Sequence, residues 1–357
     1  MTGRAVTFVT GSRVIWGAEL SLLSLAKNFP EPPDLITSNP ALATAWLSSV
    51  ERPATLVSAR AGRLTRNAGF FRPIMRAAKT ADVIVVFDFY LLPTVLLLKS
   101  VLRARSTRVV VDVHDSQNRN PRRRIYFDMM RVCDLAITVS DFILRQLPHG
   151  PSARKRIYRP VTLAPRDEAS PAAPSLDARG EGPRVGLVGQ ISPDKNLEVA
   201  LRAIAQAGAP VRVVMRGATT EENRGYHSEI VDLARELFGE DFSDEGRVPQ
   251  NATMENLDIL VLTNDNEPFG RVAAEAQLAG VLAVGPEAGG IGEILTDGET
   301  GFTYCVDDKG SLADAIRRAI QECSSGTGVV ERARQNALGS FDPARQSREY
   351  FDALQRA

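Results

Sequence analysis

The chain is poor in residues that usually mark metal or redox chemistry: its 357 positions hold three cysteines, three histidines and two tryptophans. Cys133, Cys305 and Cys323 are scattered and odd in number, which excludes a disulfide framework and the paired spacing of a zinc site. No Asp-x-Asp triplet occurs, so the simplest paired-carboxylate motif for a divalent cation is missing and no metal ligands are expected. Long apolar runs are also missing. Residues 91–98 fall well short of the ~20 that a membrane-spanning helix needs, and Pro93 interrupts them. The opening Met1-Thr2-Gly3-Arg4 leads directly into a strand-like stretch, 5–10, without a signal peptide's apolar segment. A cytoplasmic location is expected.

Net charge is zero, but its distribution is uneven. Residues 1–160 carry 24 Lys and Arg against 11 Asp and Glu, a net +13, and residues 161–357 carry the compensating −13. Arginines gather at Arg60, Arg63, Arg66, Arg72 and Arg76, at Arg119 and Arg122 to Arg124, and at Arg154, Lys155, Arg156 and Arg159. These clusters lack a nucleic-acid reading motif, so nucleic acid is not an expected partner. They suit an anionic lipid surface or an acidic acceptor, and equally a solvated basic face answering the acidic second half.

Length and rhythm point to two domains. Apolar strand patterns alternate with helical ones at 6–10 and 20–27, 83–87 and 91–102, 108–113, and 135–139 and 142–147. The alternation resumes at 184–188 and 196–206, 211–215 and 226–238, 259–262 and 272–278, and 282–284 and 311–322. It is the signature of parallel sheets covered by helices. Between the two halves, residues 163–183 contain four prolines and almost no bulky apolar side chain, the composition of a linker. The expected organisation is an α/β first domain at 1–162, a linker at 163–183 and an α/β second domain at 184–342. Residues 343–357 form a further amphipathic helix.

The most informative stretch is Glu267-Pro268-Phe269-Gly270-Arg271-Val272-Ala273-Ala274-Glu275. On a continuous helix, residues eight apart lie roughly 80° apart around the axis, so the Pro-Phe-Gly turn must set the relation between the two glutamates. A strand at 257–262, a loop and a helix starting near Gly270 would leave the amides of Phe269, Gly270, Arg271 and Val272 facing outward between the carboxylates. That is a ready site for phosphate. Gly289-Gly290-Ile291-Gly292-Glu293 follows one strand later. His114 closes the run Val-Asp-Val-His at the carboxyl end of a strand, a setting that His149 and His227 lack.

These residues resemble the donor-sugar signature of the retaining glycosyltransferases of GT-B fold, the glycosyl transferases group 1. There the Glu-x7-Glu motif often begins Glu-Pro-Phe-Gly, and the resemblance extends along most of the chain. It implies two Rossmann-like doubly wound domains facing across a cleft, with the terminal helix packing back on the first. It also implies transfer of a sugar from a nucleoside-diphosphate sugar, the co-substrate, to a hydroxyl of a sugar, lipid-linked or small-molecule acceptor. Anomeric configuration would be retained, without a metal or other cofactor.

By resemblance Glu275 binds the ribose, the amides of Phe269, Gly270, Arg271 and Val272 bind the diphosphate, Glu267 binds the transferred sugar, and His114 supports that sugar. Gly186-Leu187-Val188-Gly189-Gln190 through Lys195 is similar to the family's Gly-Arg-x4-Lys segment and makes Lys195 the diphosphate clamp. Gln190 stands where the family usually has arginine, so either Arg13, Arg216 or Arg271 supplies that charge or turnover is weak. The turn ending Trp16-Gly17-Ala18-Glu19 is similar to the family's Gly-Gly-Ala-Glu, placing Gly17 beside the diphosphate. Val248, in Arg247-Val248-Pro249, falls where the family offers backbone contacts to the base. Arg156 to Val161 replaces the family's Pro-Asn-Gly-Val and suggests an altered hinge.

Three functional readings follow: a glycosyltransferase, peripheral to the inner face of the membrane if its basic half contacts lipid; an epimerase or phosphorylase on the same architecture; and a non-catalytic nucleotide-sugar-binding homologue, which Gln190 favours.

Overall fold

The computed structural model describes residues 4–58, 67–101, 106–116, 124–149, 153–163, 182–308 and 310–357. Most of the expected linker, together with Arg60, Arg63, Arg66, Arg119, Arg122 and Arg123, lies outside them. The chain divides into two compact units. Unit 1 is Met1–Pro160 with Asp342–Ala357, and unit 2 is Val161–Phe341.

Unit 1 is built on seven parallel strands: β1 (Val6–Thr10), β2 (Asp34–Thr37), β3 (Thr55–Leu56), β4 (Val83–Val86), β5 (Arg108–Val113), β6 (Leu135–Thr138) and β7 (Ala153–Arg156). Their order is β3-β2-β1-β4-β5-β6-β7. The central strands are buried on both faces, which explains their uninterrupted Val and Ile runs. Phe8 of β1 is fully buried, with its ring centroid 6.0 Å from Phe29 and 6.2 Å from both Trp46 and Tyr350. Tyr350 comes from the helix Pro343–Arg356, whose buried face also brings Leu354 into this core.

Unit 2 holds six parallel strands: β8 (Arg184–Val188), β9 (Arg212–Arg216), β10 (Phe242–Gly246), β11 (Ile259–Val261), β12 (Leu282–Pro286) and β13 (Phe302–Tyr304). Their order is β10-β9-β8-β11-β12-β13. In each sheet the strand order reverses once, between β1 and β4 and between β8 and β11. The carboxyl ends beside such a reversal are where open α/β sheets bind ligands, because the flanking crossovers leave on opposite faces and open a crevice there.

Strands β2, β3, β7, β10 and β13 are absent from the strand patterns read in the sequence, and two of them, β7 and β10, share one reason. Ala153-Arg154-Lys155-Arg156 is nearly all cationic and Phe242-Ser243-Asp244-Glu245-Gly246 carries two acids, yet they are the edge strands β7 and β10. Charge on an edge strand discourages further pairing and hides the alternation by which strands are recognised. The basic cluster is also largely engaged. Lys155 pairs with Glu349 at 3.2 Å, Arg156 pairs with Asp141 at 3.5 Å and lies 4.0 Å from the Tyr158 ring, and Arg154 donates to Pro148 O.

Candidate functional site

The loop after β8 and the loop after β11 meet at the order reversal of the second sheet. Asn196, at φ 51°, turns the chain out of the 3-10 segment Pro193–Lys195 into the helix Leu197–Ala207. Its side chain donates to Thr263 O at 3.2 Å, while Thr263 Oγ1 donates back to Lys195 O at 2.6 Å. These two bonds fasten the Lys195 backbone to the end of β11.

Lys195 Nζ then reaches Glu267 Oε2 at 2.7 Å, and Asn264 Nδ2 donates to the same oxygen at 2.8 Å. Asn264 is buried, whereas the Lys195 and Glu267 side chains are 26% and 23% exposed, open enough for a ligand to reach both. Two of the residues expected to act together are thus in contact. Asn264 and Thr263 were not legible as site residues, being ordinary polar residues that follow an apolar run.

The turn between the glutamates depends on glycine. Gly270, at φ 90°, caps the helix Arg271–Ala279 from the left-handed region, where a side chain would be strained. The first amides bonded to Gly270 O are those of Ala273 and Ala274, at 2.9 and 3.3 Å, so the amides before Ala273 precede the first intrahelical bond. Pro268 and Phe269 are buried, and Phe269 meets Phe341 edge-on at 5.6 Å. From behind, Gly290 N donates to Glu267 O at 2.7 Å. A Cβ at Gly290 would come within 2.5 Å of Pro268 O and 2.6 Å of Phe269 Cα, so only glycine allows this approach.

Glu275 lies in a different environment from Glu267. It is buried on the second turn, and Arg271 Nε donates to its Oε1 at 2.8 Å. Burial pushes its carboxyl above the ordinary range, and the Arg271 charge and hydrogen bonds from Arg271 and Gln250 pull against that shift. Gln250 follows Val248, which is half-buried just beyond β10. The segment expected near the base therefore reaches the second glutamate through a side chain that sequence reasoning passed over.

Gln190 is half-buried between two backbone anchors, Gly189 N to Arg216 O and Ile191 N to Ala218 O, both 3.0 Å. Arg216 does not substitute for it. Its guanidinium is buried against Glu245 Oε2 at 2.8 Å and the carbonyls of Ala252, Thr253 and Glu255 at 3.1, 3.0 and 2.8 Å, where it straps β9 to the segment after β10. Arg13 is exposed in unit 1. Arg271 is therefore the arginine beside the motif.

In unit 1, Gly17 begins the helix Gly17–Lys27, and Glu19 Oε2 caps it by accepting from Trp16 N at 2.9 Å. Trp16 itself is 39% exposed over this turn. His114 stands just past β5, with its ring centroid 4.4 Å from that of Phe87 and its Nδ1 3.3 Å from Asp112 Oδ1. Burial lowers the imidazole's pKa, but the Asp112 hydrogen bond and charge outweigh this and leave it raised. Among the described residues no group of three His, Cys, Asp or Glu gathers to hold a metal, and no helix is long and apolar enough to cross a membrane.

Parallel sheets covered by helices, each with one reversal of strand order, define Rossmann-type units. Residues 172–336 match the family model described as glycosyl transferases group 1, and the matched stretch falls within unit 2. The D-inositol 3-phosphate glycosyltransferases of Mycobacterium bovis and Mycobacterium tuberculosis are 31% identical over 167 residues, 44% of this chain. The match spans about a third, 34%, of those relatives' length. Anabaena HepE, crystallised with UDP and glucose, is 21% identical and superposes over 99% of this chain and 100% of its own with a TM-score of 0.85. The sucrose-phosphate synthase of Thermosynechococcus elongatus is 16% identical over 99% of this chain and 98% of its own, with a TM-score of 0.76. The architecture, two Rossmann-like parallel-sheet units, is that of the GT-B glycosyltransferases.

Replacing Gly290 by alanine is expected to destabilise unit 2 by about 1–3 kcal/mol through overpacking and to weaken nucleotide binding by displacing the Pro268-Phe269 turn. Urea unfolding and calorimetry with a nucleoside diphosphate read the two effects. Wild-type behaviour in both would show that the turn is not held from behind by this contact.

Proposed function

We propose that the chain is a glycosyltransferase that moves a sugar from a nucleoside-diphosphate donor to an acceptor hydroxyl, with retention of configuration and without a metal ion. The observation that carries this reading is the meeting of Lys195 and Glu267 beside the start of the helix Arg271–Ala279. Negative charge builds on the departing diphosphate as the glycosidic bond breaks. A lysine, the outward amides of a helix N-terminus and the Arg271 guanidinium all answer that charge at one place. HepE is crystallised with UDP-glucose as well as with UDP and glucose, which makes UDP-glucose the first donor to test.

In this reading Lys195 exchanges Glu267 for the diphosphate when the donor enters. Glu267 is then free to accept from hydroxyls of the sugar, with Asn264 holding its orientation. Glu275 is the ribose partner. A buried carboxylate already served by Arg271 and Gln250 is fixed in place and, in its ionised form, gains from two further hydroxyl donors. Phe269 through Val272 bound the diphosphate, and Val248 and Gly17 lie on the segments proposed to meet base and diphosphate. For unit 1 we propose that His114 hydrogen-bonds a substrate hydroxyl. The acceptor, and contact of the basic unit with an anionic lipid surface, belong to the same proposal.

The two glutamates should separate in kinetics. Glu275→Ala is expected to weaken nucleoside-diphosphate binding by about tenfold or more, in keeping with roughly 1.5–3 kcal/mol for a hydrogen bond to a charged group. Glu267→Ala should leave that binding nearly unchanged and lower kcat. If both variants bind the nucleotide as the wild type does, the assignment fails.

A second prediction concerns Gln190. Among the described residues nothing lies within 4 Å of a Cβ placed at the neighbouring Gly189, so the loop has room beside it. Gln190→Arg is expected to raise kcat by roughly ten- to a hundredfold if its charge meets the leaving group only in the transition state. An unchanged kcat would mean that Arg271 and Lys195 already meet the whole demand.

A further inference from the structure

Asp112 is fully buried, and its carboxylate gathers three partners from separate parts of unit 1. Its Oδ1 faces His114 Nδ1 at 3.3 Å and accepts from the Arg159 guanidinium, while its Oδ2 accepts from the Tyr350 hydroxyl at 2.7 Å. Asp112 and His114 are two residues apart at the end of a strand, so their side chains leave the sheet on the same side. Arg159 is buried too, and its Nε and Nη1 find no hydrogen-bond partner among the described residues. A buried guanidinium with so few acceptors is costly, and its compensation in unit 1 is the carboxylate of Asp112.

Arg159 belongs to the segment that departs from the family's Pro-Asn-Gly-Val pattern, and Tyr350 to the helix Pro343–Arg356. Neither faces solvent. Their shared effect is to hold Asp112 ionised and immobile: burial alone would raise its carboxyl, but Arg159, His114 and Tyr350 together bring it below the ordinary range. The other groups acting on His114 are the Phe87 ring stacked on it, the Arg159 charge, which lowers its pKa, and the charge of Glu19 from the helix Gly17–Lys27, which raises it.

We propose that Asp112 is a positioning residue: it fixes the His114 imidazole with Nδ1–H turned toward the carboxylate and Nε2 turned outward, where the neutral ring offers a hydrogen-bond acceptor to a substrate hydroxyl. Arg159 and Tyr350 serve that purpose by anchoring the carboxylate. The proposal rests on the glycosyltransferase reading only for what the outward nitrogen meets. It assigns His114 an accepting role, in keeping with the rule that the bond made by one ring nitrogen sets the state of the other.

The test is nitrogen NMR of the full chain labelled in histidine, with the His114 signal assigned by its loss in His114→Gln. The neutral wild-type ring is expected as the Nδ1–H tautomer. In Asp112→Asn its titration midpoint should fall and the tautomer preference should relax. Tyr350→Phe keeps the ring and the carboxylate, and should keep the Nδ1–H tautomer. An Nε2–H tautomer in the wild type would overturn the proposal without recourse to any Asp112 variant. So would an unchanged midpoint and tautomer in a folded Asp112→Asn protein.

In sugar transfer, Asp112→Asn should lower kcat at least tenfold with the donor KM little changed. A KM rise with kcat kept would also overturn the positioning role. Failure of nucleoside diphosphate to bind in calorimetry would remove the glycosyltransferase reading separately, and the tautomer would still decide whether Asp112 positions His114.

Discussion

The contact on which the proposed donor site depends is the ion pair between Lys195 and Glu267. Both side chains touch solvent, and pairs of that kind contribute only about 0–1 kcal/mol to stability. The scaffold around them is more elaborate than such a contribution requires. Asn196 and Thr263 exchange bonds across the two loops, Asn264 fixes the carboxylate, and Gly290 supports the backbone of Glu267. A weak pair in a rigid setting is poised for exchange. An incoming diphosphate can take the ammonium at little cost, and the carboxylate stays where a sugar would need it.

The two glutamates show how one short motif makes two environments. Glu267 sits half-buried in the loop with an amide and a lysine on its carboxylate, while Glu275 is buried on the helix, where desolvation raises its carboxyl against the pull of Arg271. The difference arises from Gly270, whose left-handed backbone turns the chain between them. Without that turn both carboxylates would lie on one helix, roughly 80° apart around its axis.

The alternation of the two parallel sheets was legible because buried central strands such as Val83–Val86 and Val109 to Val113 are almost wholly apolar. Edge strands β7 and β10 were not, since one is nearly all cationic and the other carries two acids. Local motifs were equally readable: Pro268, Gly270 and both glutamates lie within nine positions. Lys195 is 72 residues from Glu267, and only the resemblance brought them together before the fold did. Asp112, Arg159 and Tyr350 gave no warning at all. Their network spans 238 residues of sequence, and an aspartate within Val-Asp-Val-His looks like any strand residue until burial shows what surrounds it. Arg216 illustrates the reverse error, because a plausible charge for the diphosphate is in fact a strap between strands.

The most direct measurement is a crystal structure of the chain with a bound nucleoside diphosphate. The account predicts the diphosphate at the start of the helix Arg271–Ala279, with Lys195 moved from Glu267 onto a phosphate oxygen and Glu275 within hydrogen-bond distance of the ribose. A diphosphate bound away from that helix, or bound there with the Lys195–Glu267 pair intact, would contradict it.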